Sequence, residues 1–80
     1  MTLPKIILDF LNNNANRNSN SQLNKKDDLF NAGALDSFSI IELASKLEQA
    51  YDIKIPDTDI DPVNFQTIEA IESYIITRKG

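Results

Sequence analysis

The chain contains no cysteine and no histidine. The first absence removes the thiolate nucleophile, the two together remove the usual zinc ligands, and the second removes the only side chain that titrates near neutrality without being perturbed. Positive charge is also scarce, with eight Lys and Arg against twelve Asp and Glu and a formal net charge of −4. A phosphate backbone is held by clustered basic side chains, so nucleic acid is excluded as the expected partner and a basic protein is favoured. Long hydrophobic runs are missing as well. In "MTLPKIILDF" the apolar residues are broken by Pro4, Lys5 and Asp9, which leaves nothing long enough for a signal-peptide core or a membrane span, and the default expectation is a soluble cytoplasmic protein. At 80 residues there is room for one domain, residues 1–80. A chain of this size buries only about 60% of its unfolded surface, leaving little space for a deep pocket made from its own side chains, so an enzyme is disfavoured.

What is present reads as helix. Leu3, Ile6, Ile7, Phe10 and Leu11 follow the i, i+3, i+4, i+7, i+8 rule for one buried face, and Thr2 with Pro4 suits a helix start, so the first helix is predicted from about Leu3 to Asn13. "NNNANRNSNSQ" follows and reads as a solvated loop rather than a sticky tract. From Leu23 the anchors Leu29, Phe30, Ala32 and Leu35 return without a clean period, and Gly33 permits a backbone conformation that other residues resist, which predicts an ordered loop pinned to a core. The second helix is predicted to start after Asp36 and to reach Tyr51. Pro56 and Pro62 forbid a long helix beyond it, leaving one short helical turn near Asp59 to Phe65 that packs Ile60, Val63 and Phe65. Thr67 caps a last helix whose Ile68, Ile71, Tyr74 and Ile75 share a face. The expected fold is all-α, a small bundle of three main helices plus one short helix, and the expected state is a monomer.

Two constellations invite chemistry. Asp57, Asp59 and Asp61 alternate as in the opening of an EF-hand calcium loop, but the positions that need glycine and a bidentate glutamate hold Pro62 and Ile68. These aspartates therefore read as loop-solubilising and helix-favouring charges, and no metal site is expected. The second helix is more informative. At 100° per residue Ile40, Leu43, Ala44, Leu47 and Tyr51 form one inward stripe, while Phe38 and Ile41 fall roughly opposite, among Glu42, Ser45, Glu48 and Gln49. Two large apolar side chains in a partly acidic rim look like a docking face. Asp36 is a preferred N-cap, but capping alone does not require serine at position 37, a large apolar residue after it, or Gly33 before it.

From Asp28 to Ile76 the chain resembles the phosphopantetheine-bearing carrier proteins, the acyl carrier proteins with their aminoacyl and peptidyl relatives. The resemblance is carried by "LFNAGALDSFSIIELASKLEQAYDIKIP" and "NFQTIEAIESYI": glycine shortly before Asp-Ser, a large apolar residue after it, Glu42-Leu43, Leu47-Glu48, Tyr51-Asp52 and Ile-x-Ile-Pro. It implies that Ser37 is the attachment point for 4′-phosphopantetheine. A separate phosphopantetheinyl transferase would use Mg²⁺ and coenzyme A, the Ser37 hydroxyl attacking the phosphate nearer the pantetheine. The resulting phosphodiester would sit at a helix N-terminus, where the dipole and free N–H groups favour an anion. The resemblance also implies that the chain is not catalytic, that a cargo-loading ligase or synthetase and downstream transferases are its further partners, and that Asp36, Phe38, Ile41, Glu42 and Glu48 form the docking face. Ser39 and Gln49 stand where fatty-acid-synthesis members often carry acids, and Lys46 adds a positive charge.

The cargo is expected to be small, an aminoacyl or short acyl group. Ile40 stands at an inward position where fatty acyl carriers commonly have a smaller residue, and Ile60 and Phe65 should help close the same space. The alternatives are a carrier of long fatty acyl chains and an unmodified helical interaction domain, which would never gain an arm. A hydrolase using Ser37 itself would need a base and an orienting group, and without histidine this demands an unusual lysine dyad.

Overall fold

The structure, a computed structural model, describes residues 2–15 and 23–79. These form four α-helices: α1 Lys5–Asn14, α2 Ser39–Tyr51, α3 Pro62–Phe65 and α4 Ile68–Lys79, with a 3-10 turn at Asp57–Asp59 ahead of α3. No strand occurs among the described residues, and the all-α arrangement of three main helices and one short one agrees with the sequence pattern.

α1 starts behind Pro4, whose carbonyl accepts from the N–H groups of Ile7 (3.0 Å) and Leu8 (3.1 Å). Its inward line is Leu3, Ile7 and Leu11, all buried. Ile6 and Phe10 depart from the expected buried face: Ile6 is exposed, and Phe10 is half-buried, with the Lys46 ammonium 5.2 Å from its ring centre. One residue along a helix is a rotation of about 100°, so Ile6 turns out of the narrow stripe that Ile7 occupies. Part of the Asn-rich tract is helix. Asn12 and Asn14 belong to α1 and tie its end to the rest of the chain, Asn12 Oδ1 accepting from Leu23 N (2.9 Å) and Asn14 Nδ2 donating to Ala34 O (3.2 Å). Residues 16–22 of the tract lie outside the described residues.

The loop leading to α2 is held at both ends. Leu29 N donates to Gln66 O at 2.7 Å, and Gln66 Nε2 returns a bond to Asp28 Oδ2 at 3.0 Å. That bond, with N–H donors from Asn31 and Phe30, holds the Asp28 carboxyl below its ordinary value. Leu29 O then accepts from Ala34 N (2.8 Å) and Leu35 N (3.1 Å), a tight reversal that runs through Gly33 at φ +83°. An added Cβ at Gly33 would meet no neighbour, so glycine is required there by backbone conformation and not by crowding. Leu29, Ala34 and Leu35 are thereby driven into the core without belonging to a helix.

At the far end of α2, Asp52 takes the left-handed conformation (φ 55°), which an aspartate tolerates better than most residues. Glu48 organises this reversal twice. Its carbonyl accepts from Ile53 N (3.2 Å), and its Oε2 accepts from Ile55 N (2.8 Å). The next segment is two pieces where one helical turn was expected, because Pro62 occupies the first position of a new helix capped by Asp61, whose Oδ1 accepts from Val63 N at 2.9 Å. Phe65 is fully buried, but Val63, expected to pack inward, is exposed. Thr67 caps α4 as expected, its Oγ1 accepting from Ala70 N at 3.0 Å. Ile68, Ile71 and Ile75 are buried, and Tyr74 meets the Phe65 ring edge-on with centres 5.4 Å apart. Glu72 is buried beside them, one oxygen 3.2 Å from Lys25 Nζ and the other without a partner among the described residues.

Candidate functional site

The site is built on the first turn of α2. Regular helix begins at Ser39, but its hydrogen bonding starts earlier, Ile40 N donating to Asp36 O at 3.0 Å. Asp36 Oδ1 accepts from Phe38 N (2.9 Å), Ser39 N (2.8 Å) and Ser39 Oγ (3.0 Å), and Ser39 Oγ in turn accepts from Asp36 N (2.9 Å). This is a reciprocal capping box between residues three apart. The Ser39 N–H, then the Phe38 N–H, then the Ser39 hydroxyl hold the Asp36 carboxyl below its ordinary range. Ser39 marked only a missing acid in the sequence pattern. Its spacing from Asp36 was the signal that it completes the cap.

Ser37 lies between these two capping residues and takes no part in their bonds. It is exposed, and among the described residues nothing hydrogen-bonds its side chain. The cap also revises the expected anion site. Phe38 N and Ser39 N are already spent on Asp36, so a phosphate on Ser37 would gain from the helix dipole but not from those two N–H groups, and it would face the Asp36 charge.

Beside Ser37 opens an apolar groove of about 400 Å³, lined by Phe30, Asp36, Ser37, Ile40, Ile41, Ile60 and Pro62. It continues past Ile41 and Ile60 toward Asp57. Ile40, which lines it, is almost fully buried, and Phe65 is fully buried in the core, so both expected inward positions hold bulky apolar side chains.

The outer face of α2 is arranged as the helical period requires. Phe38 is 82% and Ile41 58% exposed, with Glu42 exposed beside them. Glu48 departs from this set: it is half-buried, and its carboxylate is committed to Ile55 N. The alternating aspartates do not converge either. Asp59 accepts the Tyr74 hydroxyl (2.7 Å) and Asp61 caps α3. Among the described residues no group of three or more acidic side chains is placed to hold a metal ion, and no helix is long and apolar enough to cross a membrane.

The bundle thus presents one exposed serine at a helix start, beside an apolar groove. The chain belongs to the phosphopantetheine attachment site family, whose model matches residues 6–75. It is 38% identical over 47 residues to a D-alanyl carrier protein of Streptococcus uberis, covering 59% of this chain and 60% of that one. It is 35% identical over 46 residues to aminoacyl carrier protein 2 of Bradyrhizobium diazoefficiens, covering 58% and 52%. A D-alanyl carrier protein of Streptococcus pyogenes matches at 38% over 45 residues, covering 56% and 57%. The matched segment thus spans between half and three-fifths of these relatives. A chain in a crystal structure of an FAD-dependent dehydrogenase superposes with a TM-score of 0.69 at 29% identity, covering 86% of this chain and 97% of that one. With 86% of 80 residues covering 97% of it, that chain is about 71 residues long, the size of the present one. The cofactor of the family is phosphopantetheine. The residues here fit it: the serine hydroxyl is accessible, and the adjoining groove offers an apolar surface for the methylenes of the arm.

Proposed function

We propose that Ser37 carries 4′-phosphopantetheine and that the chain presents a small aminoacyl or short acyl group to partner enzymes without catalysing the chemistry itself. The observation that carries this reading is the contrast within four residues, where Asp36 and Ser39 are consumed by the cap and Ser37 is left accessible at the groove. The arm supplies the thiol that this chain lacks. Ser37 has no base of its own: the carboxylate next to it is stabilised in its ionised form by three donors, which makes it a poor proton acceptor. A phosphopantetheinyl transferase would provide the base, and a loading ligase would dock on Phe38, Ile41 and Glu42 with Asp36 at the edge of the contact. Glu48, included in that face from the sequence pattern, supports it less, because its carboxylate holds Ile55 N. A small cargo is favoured by the packed interior and by the aminoacyl names of the relatives.

Incubating the apo protein with a broad-specificity phosphopantetheinyl transferase, Mg²⁺ and coenzyme A tests the reading by intact mass. One arm is expected on the parent and none on Ser37→Ala. An unchanged parent mass, with a control carrier modified in the same reaction, would leave an unmodified interaction domain as the better description.

A further inference from the structure

The segment that forms one wall of the groove is tied to α4 by a side-chain hydrogen bond, from Tyr74 to Asp59. Ile60 lines both the pocket beside Ser37 and its continuation toward Asp57. It sits between two aspartates that are each fixed. Asp61 is bound to the start of α3 through Val63 N. Asp59 Oδ2 accepts the Tyr74 hydroxyl at 2.7 Å, and Asp59 O accepts from Asn64 Nδ2 at 2.9 Å. Tyr74 is itself seated in α4 against Phe65. By contrast, no regular helix holds Ile60: it follows a three-residue 3-10 turn and precedes a four-residue helix, two elements too short to be stable without tertiary support. Widening the groove requires this segment to move away from α2, and the Asp59–Tyr74 bond resists that movement.

We infer that Tyr74 and Asp59 form a latch that limits the length of the carried group. The inference rests on attachment at Ser37. A short group needs no more room than the existing groove and arm provide. A longer chain that outgrows the groove gains room by displacing Ile60, the wall with no regular helix behind it, so the latch opposes its burial. Tyr74 acts here as a positioning residue, through Asp59 and Ile60, and touches no cargo.

The test loads Ser37 with pantetheine arms bearing two-, six- and ten-carbon thioesters, in the parent chain, in Tyr74→Phe and in Asp59→Ala. Intact mass confirms loading, and each melting temperature is compared with that of the same variant bearing the bare arm. Tyr74→Phe keeps the ring against Phe65 and removes only the hydroxyl, so a merely structural loss lowers all its forms equally and cancels. The latch predicts nearly flat increments in the parent chain and, in both variants, increments that grow with length, the ten-carbon form gaining at least about 4 °C over the parent's, a shift readily resolved for a domain of this size. Asp59→Asn, which can still accept from Tyr74, should restore the flat profile. Equal length dependence in parent and variants overturns the latch while leaving the carrier reading intact. Absence of loading in the parent overturns the carrier reading and the latch with it. Should Tyr74→Phe fail to fold, Asp59→Ala decides alone.

Discussion

Ile40 and Ile41 are the same amino acid in consecutive positions of one helix, yet Ile40 is 7% exposed and Ile41 58%. Hydrophobicity does not separate them. The helical rotation does, and it gives α2 an inner face of Ile40, Leu43, Ala44 and Leu47 that joins the core and an outer face that keeps Phe38 and Ile41 in water. An apolar side chain left outside a fold this small has no role in holding it together. The two faces therefore differ in what their loss should cost: stability on one side, recognition on the other.

Substitutions can break this comparison. Leu47→Ala removes a fully buried side chain and should cost about 2 to 5 kcal/mol in urea unfolding, the largest effect anticipated on α2. Glu48→Ala removes the acceptor of Ile55 N and should cost about 1 to 2 kcal/mol while leaving the rate of cargo loading within about twofold, because its carboxylate is committed to Ile55 N and not free for the proposed docking face. A loading defect at Glu48 without a stability loss would reverse that assignment. Ile41→Ala should change stability by less than about 1 kcal/mol yet slow loading, and Glu42→Lys should slow it further. If Ile41→Ala destabilises as much as Leu47→Ala, the two faces are not distinct.

The smallest effects concern protons. The Tyr74 hydroxyl is pushed up to about 12, by burial first and then by its bond to Asp59. A folded-state value raised above the ordinary 10.0 gives stability that is fully present below pH 10 and lost as pH rises through about 12, so the difference in urea midpoint between the parent chain and Tyr74→Phe should vanish across that window. Asp36 has the opposite sign. Its lowered value contributes stability above the ordinary 3.8 that is lost on acidification below it, and Asp36→Asn should flatten that acid limb.

Both faces of α2 were legible in the sequence, because a regular period leaves a pattern that a reader can project. The caps at Thr67 and Asp36 were legible for the same reason, being local. What escaped was set by contacts between distant segments or by a choice among equivalent local options. Nothing local distinguishes Glu48, which turns back to Ile55 N, from Glu42, which does not. Val63 has the composition of a core residue, but Pro62 restarts the helix and sets the phase that exposes it. Nothing local marks Glu72 for burial, since its pairing with Lys25 depends on how the loop folds back across 47 residues. The groove beside Ser37 was half legible, since Ile60 is expected to close the space by Ile40, but that Pro62 also lines it follows from packing that no period encodes.

The bond from Leu29 N to Gln66 O spans 37 positions and joins the approach to Ser37 directly to the start of α4. A loop fastened in this way cannot open by itself, since freeing Leu29 also frees the reversal that buries Leu35 and exposes the carbonyl just ahead of α4. The loop and α4 should then behave as one cooperative unit in native-state hydrogen exchange, the amides of Leu29, Ala34 and Leu35 exchanging with the free energy of the α4 core amides and not with the low values usual for irregular chain. The start of α2, with Ser37 as the proposed attachment point, would then stand on a footing as rigid as the bundle, and any swing of the proposed arm would lie beyond it.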